Sequence, residues 1–182
     1  MELLRPPMRW TRRRPGSRQQ FRNGARSIKI VATGGVLTPG VTVDFTAFTP
    51  EEVAVAVDEA HKWDAPIAAH AIGRTGIDHC ERAGIDSIEH GAQITAETAR
   101  QMKERGMFHV PTISVLLGIV DHPKDVPVYA VEKGRQIVDM LRDTFRRNVR
   151  LGVRFACGTA RARPTIPTGT LPGRWSGWWS GG

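Results

Sequence analysis

The chain has 182 residues, which is short for a closed eight-stranded α/β barrel, because such barrels typically need about 250 residues. Its formal net charge of +8 is carried by the two ends: residues 1–26 hold +7 and residues 161–182 hold +3, which leaves −2 for residues 27–160. The middle is therefore an ordinary globular sequence whose charge does not indicate a nucleic-acid partner. The sequence contains neither an apolar stretch that could span a membrane nor a secretory signal. We therefore expect a cytoplasmic chain.

Strands and helices alternate along this middle part. The first predicted strand covers 27–32, and a helix follows that begins after Thr49, with Pro50 at its first position and Glu52 completing a capping box. Further strands are predicted at 66–70, 85–90, 107–112 and 153–159, and further helices at 76–84, 95–106 and 129–151, the last broken only at Gly134.

This order, β-α-β-α-β-α-β-α-β, indicates a parallel sheet covered by helices. Five such strands fit either an open doubly wound sheet or part of a barrel, and periodicity does not choose between them. No GxGxxG follows the first strand, which counts against a dinucleotide-binding fold. The glycine-rich stretch "ATGGVLTPG" is not a phosphate-binding loop, since no Gly-Lys-Ser/Thr closes it.

Polar residues occupy the predicted strands where a parallel sheet places its chemistry, near the carboxyl ends. Lys29 lies in the first strand, His70 ends the second and His90 ends the third. A lysine inside "SIKIVA" predicts a buried, paired side chain, and two imidazoles in register suit a metal such as zinc. The alternatives are that each histidine is structural and that Lys29 pairs with Glu89 or extends to solvent.

The remaining histidines and the cysteines give weaker signals. We assign His61 to the surface and His109 and His122 to structure or loops. His79 neighbours Cys80 on a short helix, and such a pair is a weak candidate site. Cys80 and Cys157 match no metal-finger spacing. Because Cys157 lies in an apolar run, we expect a buried free thiol there, consistent with a reducing compartment.

Taken together, five stretches resemble the amidohydrolase superfamily of metal-dependent hydrolases, and more closely its imidazolonepropionase-related or Xaa-Pro dipeptidase-like branch. They are "GARSIKIVATGGVLTPG", "FTPEEVAVAVDEAHKWDAPIAAHAIG", "GIDHCERAGIDSIEHG", "MKERGMFHVPT" and "FACGT", and they cover most of 21–159 in the family's order. The resemblance implies an α/β fold that is an incomplete TIM (β/α)8 barrel, roughly strands four to eight. Members of the family are commonly homo-oligomers.

The resemblance also implies a site with two divalent metal ions, expected to be zinc. Lys29 matches the lysine that becomes carboxylated and bridges the metals, and His70 and His90 match the pair that holds the second metal. A metal-activated hydroxide would then attack the C–N amide bond of a dipeptide, an N-acyl amino acid or a cyclic amide.

Two positions depart from the family pattern. The His-x-His pair of the family's first strand is absent, since the first histidine of this chain is His61. The aspartate expected after residues 158–159 is Ala160, so no catalytic residue of the family is intact. We therefore expect this chain to be inactive by itself, with a non-catalytic metal- or nucleic-acid-binding remnant as the alternative.

The sequence divides into a partial barrel at 21–160 and two atypical ends. We expect 161–182 to be a non-native or disordered tail. A one-base deletion in a GC-rich coding sequence would turn an aspartate codon into Ala160 and shift the reading frame of everything that follows. The alternative is a genuine disordered tail whose tryptophans serve a partner. A frameshift also explains the basic segment 1–20, and the alternative there is an arginine-rich arm for nucleic acid or anionic lipid.

Overall fold

The computed structural model describes residues 14–158 of the chain, with side chains from residue 18 onward. Six helices and five strands lie in this part. The helices are α1 (Arg14–Arg22), α2 (Pro50–His61), α3 (Arg74–Ala83), α4 (Ala96–Glu104), α5 (Ile113–Asp121) and α6 (Val128–Leu151). The strands are β1 (Ile28–Val31), β2 (Ile67–Ala71), β3 (Ser87–His90), β4 (Phe108–Val110) and β5 (Arg154–Phe155).

The predicted start of α2 is confirmed. Thr49 Oγ1 accepts a hydrogen bond from the Glu52 backbone N–H at 3.3 Å, and the Glu52 carboxylate accepts one from the Thr49 backbone N–H at 3.0 Å. This reciprocal pair satisfies two backbone donors that the helix leaves unpaired. Pro50 supplies the first helical position, where the missing N–H costs nothing.

The order of the strands decides between the two sheet architectures. All strand pairs are parallel, and the order across the sheet is β1-β2-β3-β4-β5, so every strand lies beside its neighbour in sequence. A doubly wound sheet reverses its strand order at a switch point, whereas a barrel adds each strand next to the preceding one. The sheet is therefore a run of consecutive barrel strands.

The two faces of the sheet differ in exposure. Alternate residues of β1–β4 are buried under the helices, and the register aligns them across the sheet: Ile30, Ala69, Ile88 and His109. The opposite face, which lines the interior in a barrel, is partly open: Lys29, Val31, His70, Glu89 and Val110. Val31 on this open face is 55% exposed.

A second hydrophobic cluster lies apart from the core under the sheet. It joins the segment after β1 to the α5–α6 hairpin through Val36, Ile72, Leu116 and Ile119, among others. Helix α5 was not predicted, because nearly all of its residues are apolar and no polar face reveals the helical period. The predicted break at Gly134 is wrong: α6 is continuous, and a Cβ at Gly134 would lie only 3.1 Å from Ile119 Cγ2.

The end of the described chain departs from the prediction. Strand β5 covers only Arg154–Phe155, and Cys157 is exposed, so the expectation of a buried thiol there is wrong. The Ala156 N–H still donates to the His109 carbonyl at 3.1 Å, and the apolar run leaves the sheet after this bond. Among residues 14–158, β5 pairs with β4 alone. Cys80, by contrast, is fully buried in α3.

Most residues of the two atypical ends lie outside the part of the chain that the structure describes. The last residues of segment 1–20 form the start of α1, and the Arg18 guanidinium contacts the buried Glu59 carboxylate at 2.7 Å. Residues 1–13 and 159–182, Ala160 included, lie outside the described part, so both frameshift hypotheses stay predictions. No helix between residues 14 and 158 combines the length and apolar character needed to cross a membrane.

Candidate metal centre

Lys29, His70 and His90 line the same cavity, which has a volume of about 220 Å³. His70 is the penultimate residue of β2 and His90 the last residue of β3, so both imidazoles lie at the carboxyl edge of the sheet. Their ring centroids are 4.5 Å apart, with the planes at 71°. The three side chains singled out in the sequence are therefore brought together.

Lys29 projects from the open face of the sheet toward β3. Its ammonium forms an ion pair with Glu89, which is the pairing that the sequence left open as an alternative. The expectation of a buried lysine is wrong, since the Lys29 side chain is 48% exposed. The reason is that the face carrying Lys29 is not covered by helices, unlike the face carrying Ile30.

His70 carries a buried nitrogen without a partner. Its Nε2 is inaccessible to solvent and makes no hydrogen bond within the described residues. Burial lowers the pKa of His70 below its usual value, so the ring is neutral at pH 7. Gly35 lies against the ring, and a Cβ there would be 3.4 Å from both Cε1 and Nε2. A neutral imidazole with an unsatisfied nitrogen is a suitable metal donor.

His90 enters the cavity through an unusual backbone conformation. The register pairs His90 with Ala71, so strand alternation alone would place its ring on the buried face. Its φ of 67° is in the left-handed region, which changes the course of the chain at the end of β3. His90 Nδ1 shares a hydrogen bond of 2.6 Å with Thr112 Oγ1, which leaves Nε2 for another partner. Burial, and then the neighbouring His70, lower the pKa of His90 to about 3.

A buried polar network supports His90 from behind. His109 Nε2 donates to the backbone carbonyl of His90 at 2.9 Å, and Asn148 Nδ2 donates to His109 Nδ1 at 3.4 Å. Both residues are completely buried, and burial lowers the pKa of His109 to about 4. The assignment of His109 to structure agrees with these contacts. Asn148 was not identified from the sequence as a supporting residue, because it acts through a partner distant in the chain.

The side chains that line the cavity fit a metal ion on the condition that Lys29 is carboxylated. Across the described residues 14–158, no three histidine, cysteine, aspartate or glutamate side chains cluster as a metal site. Two neutral imidazoles supply two donors, and the third group in the cavity, Lys29, is a cation as long as it is unmodified. The donor set therefore becomes complete when Lys29 Nζ carries a carboxylate, which converts a repelling charge into an anionic oxygen ligand.

Comparisons with known proteins agree with this fold. Residues 6–172 match the profile of the Amidohydrolase family. Ochratoxinase from Aspergillus niger is 33% identical over 152 residues, which are 83% of this chain and 32% of that enzyme. The chain therefore belongs to the amidohydrolase family and spans about a third of the length of this curated relative.

Two solved structures share the fold. A Xaa-Pro dipeptidase with methionine bound in its active site superposes with a TM-score of 0.75 at 34% identity, over 84% of this chain and 38% of that one. A prolidase complexed with N-methylphosphonate-L-proline superposes with a TM-score of 0.83 at 26% identity, over 91% of this chain and 44% of that one. The five-stranded sheet is thus part of a TIM barrel, as the resemblance implied.

Proposed function

We propose that this chain provides the lysine and histidine ligands of an amidohydrolase that cleaves the C–N amide bond of a dipeptide, an N-acyl amino acid or a cyclic amide. The observation that carries the proposal is the convergence of Lys29, His70 and His90 in one cavity. A divalent metal, which we propose to be zinc, supplies Lewis acidity and a nucleophilic water at neutral pH. His70 and His90 would hold it as neutral imidazoles, with Thr112 fixing the orientation of the His90 ring.

Lys29 joins these ligands after it reacts with carbon dioxide. The Lys29 ammonium first gives one proton to solvent. The freed Nζ lone pair then forms a bond to the carbon of carbon dioxide, one C–O π bond opens onto oxygen, and Nζ releases a second proton to solvent. The product is a carbamate with one negative charge. The Lys29–Glu89 ion pair must break in this reaction, because the carbamate and the Glu89 carboxylate have the same charge.

This chain is expected to bind metal weakly and to lack hydrolytic activity. Ala160 stands where the family pattern has an aspartate that moves protons, and no histidine precedes His61 to bind a first metal. Purified chain supplied with zinc should therefore release no amino acid from a dipeptide. Zinc-dependent hydrolysis that disappears in His90→Ala would overturn the expected inactivity and support the assigned site.

Zinc binding tests the ligands directly. We expect His70→Ala and His90→Ala each to weaken zinc binding at least about tenfold in competition with a chromophoric chelator. His61→Ala is the matched control, since His61 lies on α2, contacts Asp86 at 3.0 Å and is half-exposed. Equal zinc affinity in all three variants and in the unaltered chain would rule out the proposed centre.

The lysine modification has its own readout. With ¹³C-labelled bicarbonate and zinc present, the chain should show a carbamate carbon resonance that Lys29→Met removes. Lys62→Met is the control, because the Lys62 ammonium is solvent-exposed and pairs with Asp58 on the same helix. Glu89→Gln should strengthen the resonance, since it removes the partner that stabilises the ammonium form. A resonance that survives Lys29→Met would place the carbamate on another amine.

A further inference from the structure

The cavity that holds the three polar side chains has a second, apolar wall. Val36 and Leu37 come from the segment after β1, and Ile72 follows β2. Helix α5 contributes Val115, Leu116 and Ile119. The candidate metal ligands therefore border directly on a hydrophobic surface within one half-open cavity.

The position of the α5 side chains is fixed relative to His90. Helix α5 begins immediately after Thr112, whose hydroxyl is hydrogen-bonded to the His90 ring. Val115, Leu116 and Ile119 lie at positions i, i+1 and i+4, so they share one face of the helix. Gly134 on α6 lies close to Ile119, since an added Cβ would be 3.1 Å from Ile119 Cγ2, and this contact fixes the position of α5.

We propose that this wall, formed by Val36, Ile72, Val115, Leu116 and Ile119, is a subsite for an apolar side chain of the amide substrate. The inference rests on the proposed function, which places the scissile bond beside His70 and His90. It adds that the group next to that bond is aliphatic, about the size of a leucine side chain, and is neither charged nor strongly polar.

Two physical arguments favour this occupant. The cavity of about 220 Å³ is smaller than the roughly 300–1,000 Å³ typical of pockets for drug-sized ligands, so it accommodates a part of a substrate. A charged or amide side chain placed against the α5 face would lose its hydration without gaining a partner there. An aliphatic group fits this volume, has no polar atoms whose hydration would be lost, and removes apolar surface from water.

The test uses the full chain without metal, so that its outcome does not depend on zinc or on Lys29 carboxylation. Binding of N-acetyl-leucinamide and N-acetyl-glycinamide is measured by ligand-observed NMR titration. We expect the leucine compound to bind at least about tenfold more tightly, and we expect N-acetyl-asparagine amide to behave like the glycine compound.

Substitutions in the apolar wall test whether this wall causes the preference for the leucine compound. Val115→Thr keeps the shape of the side chain and should reduce the leucine preference severalfold, and Leu116→Ser should abolish it. Val128→Thr is the matched control, because Val128 lies on α6 with 74% exposure and should leave the preference unchanged. Circular dichroism of each variant verifies that the chain is folded, and Val115→Thr keeps the test valid should Leu116→Ser unfold.

The outcomes separate the two proposals. If leucine and glycine compounds bind equally, or if neither binds, the apolar subsite is overturned even where zinc binding by His70 and His90 is found. If the leucine preference is present and zinc binding is insensitive to His90→Ala, the hydrolase proposal fails and the apolar subsite remains. An unchanged preference in Val115→Thr and Leu116→Ser would also overturn the subsite.

Discussion

His90 and Thr112, which are 22 residues apart, share a hydrogen bond of 2.6 Å, and both have left-handed backbone conformations with φ of 67° and 49°. Such conformations cost a residue with a Cβ about 1–2 kcal/mol each. They persist only where the surrounding structure determines them, and they concentrate at functional sites. The bond between the two side chains links the end of β3 to the start of α5, which are the elements that form the metal-ligand and apolar walls of the cavity.

The first prediction concerns this bond. Thr112→Val removes the hydroxyl that orients the His90 ring, so we expect zinc affinity to fall about 10- to 100-fold, measured by chelator competition. Thr98→Val is the control: Thr98 is also buried and loses a bond of 3.0 Å to Asp78, but it lies on α4. Similar zinc affinities for the two variants would show that Thr112 does not position His90.

The second prediction concerns Gly91, whose φ of 62° follows directly after that of His90. A Cβ at Gly91 would lie 2.6 Å from Ile94 Cδ1 and 2.7 Å from His109 Nε2. Gly91→Ala should therefore lower the free energy of unfolding by about 2–5 kcal/mol, from backbone strain and overpacking together. Urea denaturation measures this loss.

Gly40 offers a matched control for that substitution. Its φ is 69°, and an added Cβ would meet nothing within 4 Å. Gly40→Ala should therefore cost only the strain of about 1–2 kcal/mol. If the two alanine variants lose the same stability, the contacts around Gly91 are not tightly packed and the second prediction fails.

The third prediction concerns the two thiols. Burial raises the pKa of Cys80 to about 12, whereas Cys157 is exposed. At pH 8 a disulfide reagent should modify one thiol rapidly, and Cys157→Ser should remove that fast phase while Cys80→Ser leaves it. Rapid modification of both thiols in the native chain would contradict the burial of α3.

The same raised pKa gives a pH dependence. In the unfolded chain the Cys80 thiol ionises near its ordinary pKa of 9, but in the folded chain it stays protonated to about pH 12. Its contribution to stability is therefore complete below pH 9 and is lost as the pH rises from 9 to 12, by at most about 1.4 kcal/mol per pH unit. Cys80→Ala should flatten this part of the stability profile, measured by urea denaturation at several pH values.

The fourth prediction concerns Lys133 on α6, which holds the segment after β1. Its ammonium donates to the backbone carbonyls of Thr38 at 2.8 Å and Val41 at 2.6 Å. Because bonds to charged donors contribute about 1.5–3 kcal/mol each, Lys133→Met should accelerate amide hydrogen exchange in residues 36–43 about tenfold or more. Lys124→Met, at an exposed position, should leave these amides unchanged; equal exchange in both variants would exclude the contact in solution.

Local signals predicted most of the elements correctly. The capping box at Thr49 and the glycine that ends α3 depend on neighbouring residues alone, so the sequence contains all the information that defines them. The spacing of one β-α-β unit placed His70 and His90 at the same edge of the sheet, but the two histidines are not in register, since His70 pairs with Glu89 and His90 with Ala71. Helix α5 was missed because its period is hidden when nearly every residue is apolar.

The errors at the site have a different origin. The exposure of Lys29 and of Cys157 depends on which other elements cover them, and no local pattern encodes that. The left-handed conformation at His90 is held by contacts from distant segments, such as the bond to Thr112, although histidine is one of the non-glycine residues that adopt it more readily. Sequence analysis therefore found the chemically active groups, while their supporting residues became evident only when distant segments were brought together.

The consecutive order of the strands has a consequence for how the protein is made. Each strand docks on the one synthesised just before it, so every backbone pairing in the sheet joins neighbouring elements, separated only by their connecting segment. Each pairing closes a connection of roughly 20–45 residues, which slows folding relative to local contacts, but no strand has to wait for a partner from a later, non-adjacent element. The sheet can therefore grow stepwise as the polypeptide leaves the ribosome, and β1 and β2 can dock before the residues of α6 have been translated.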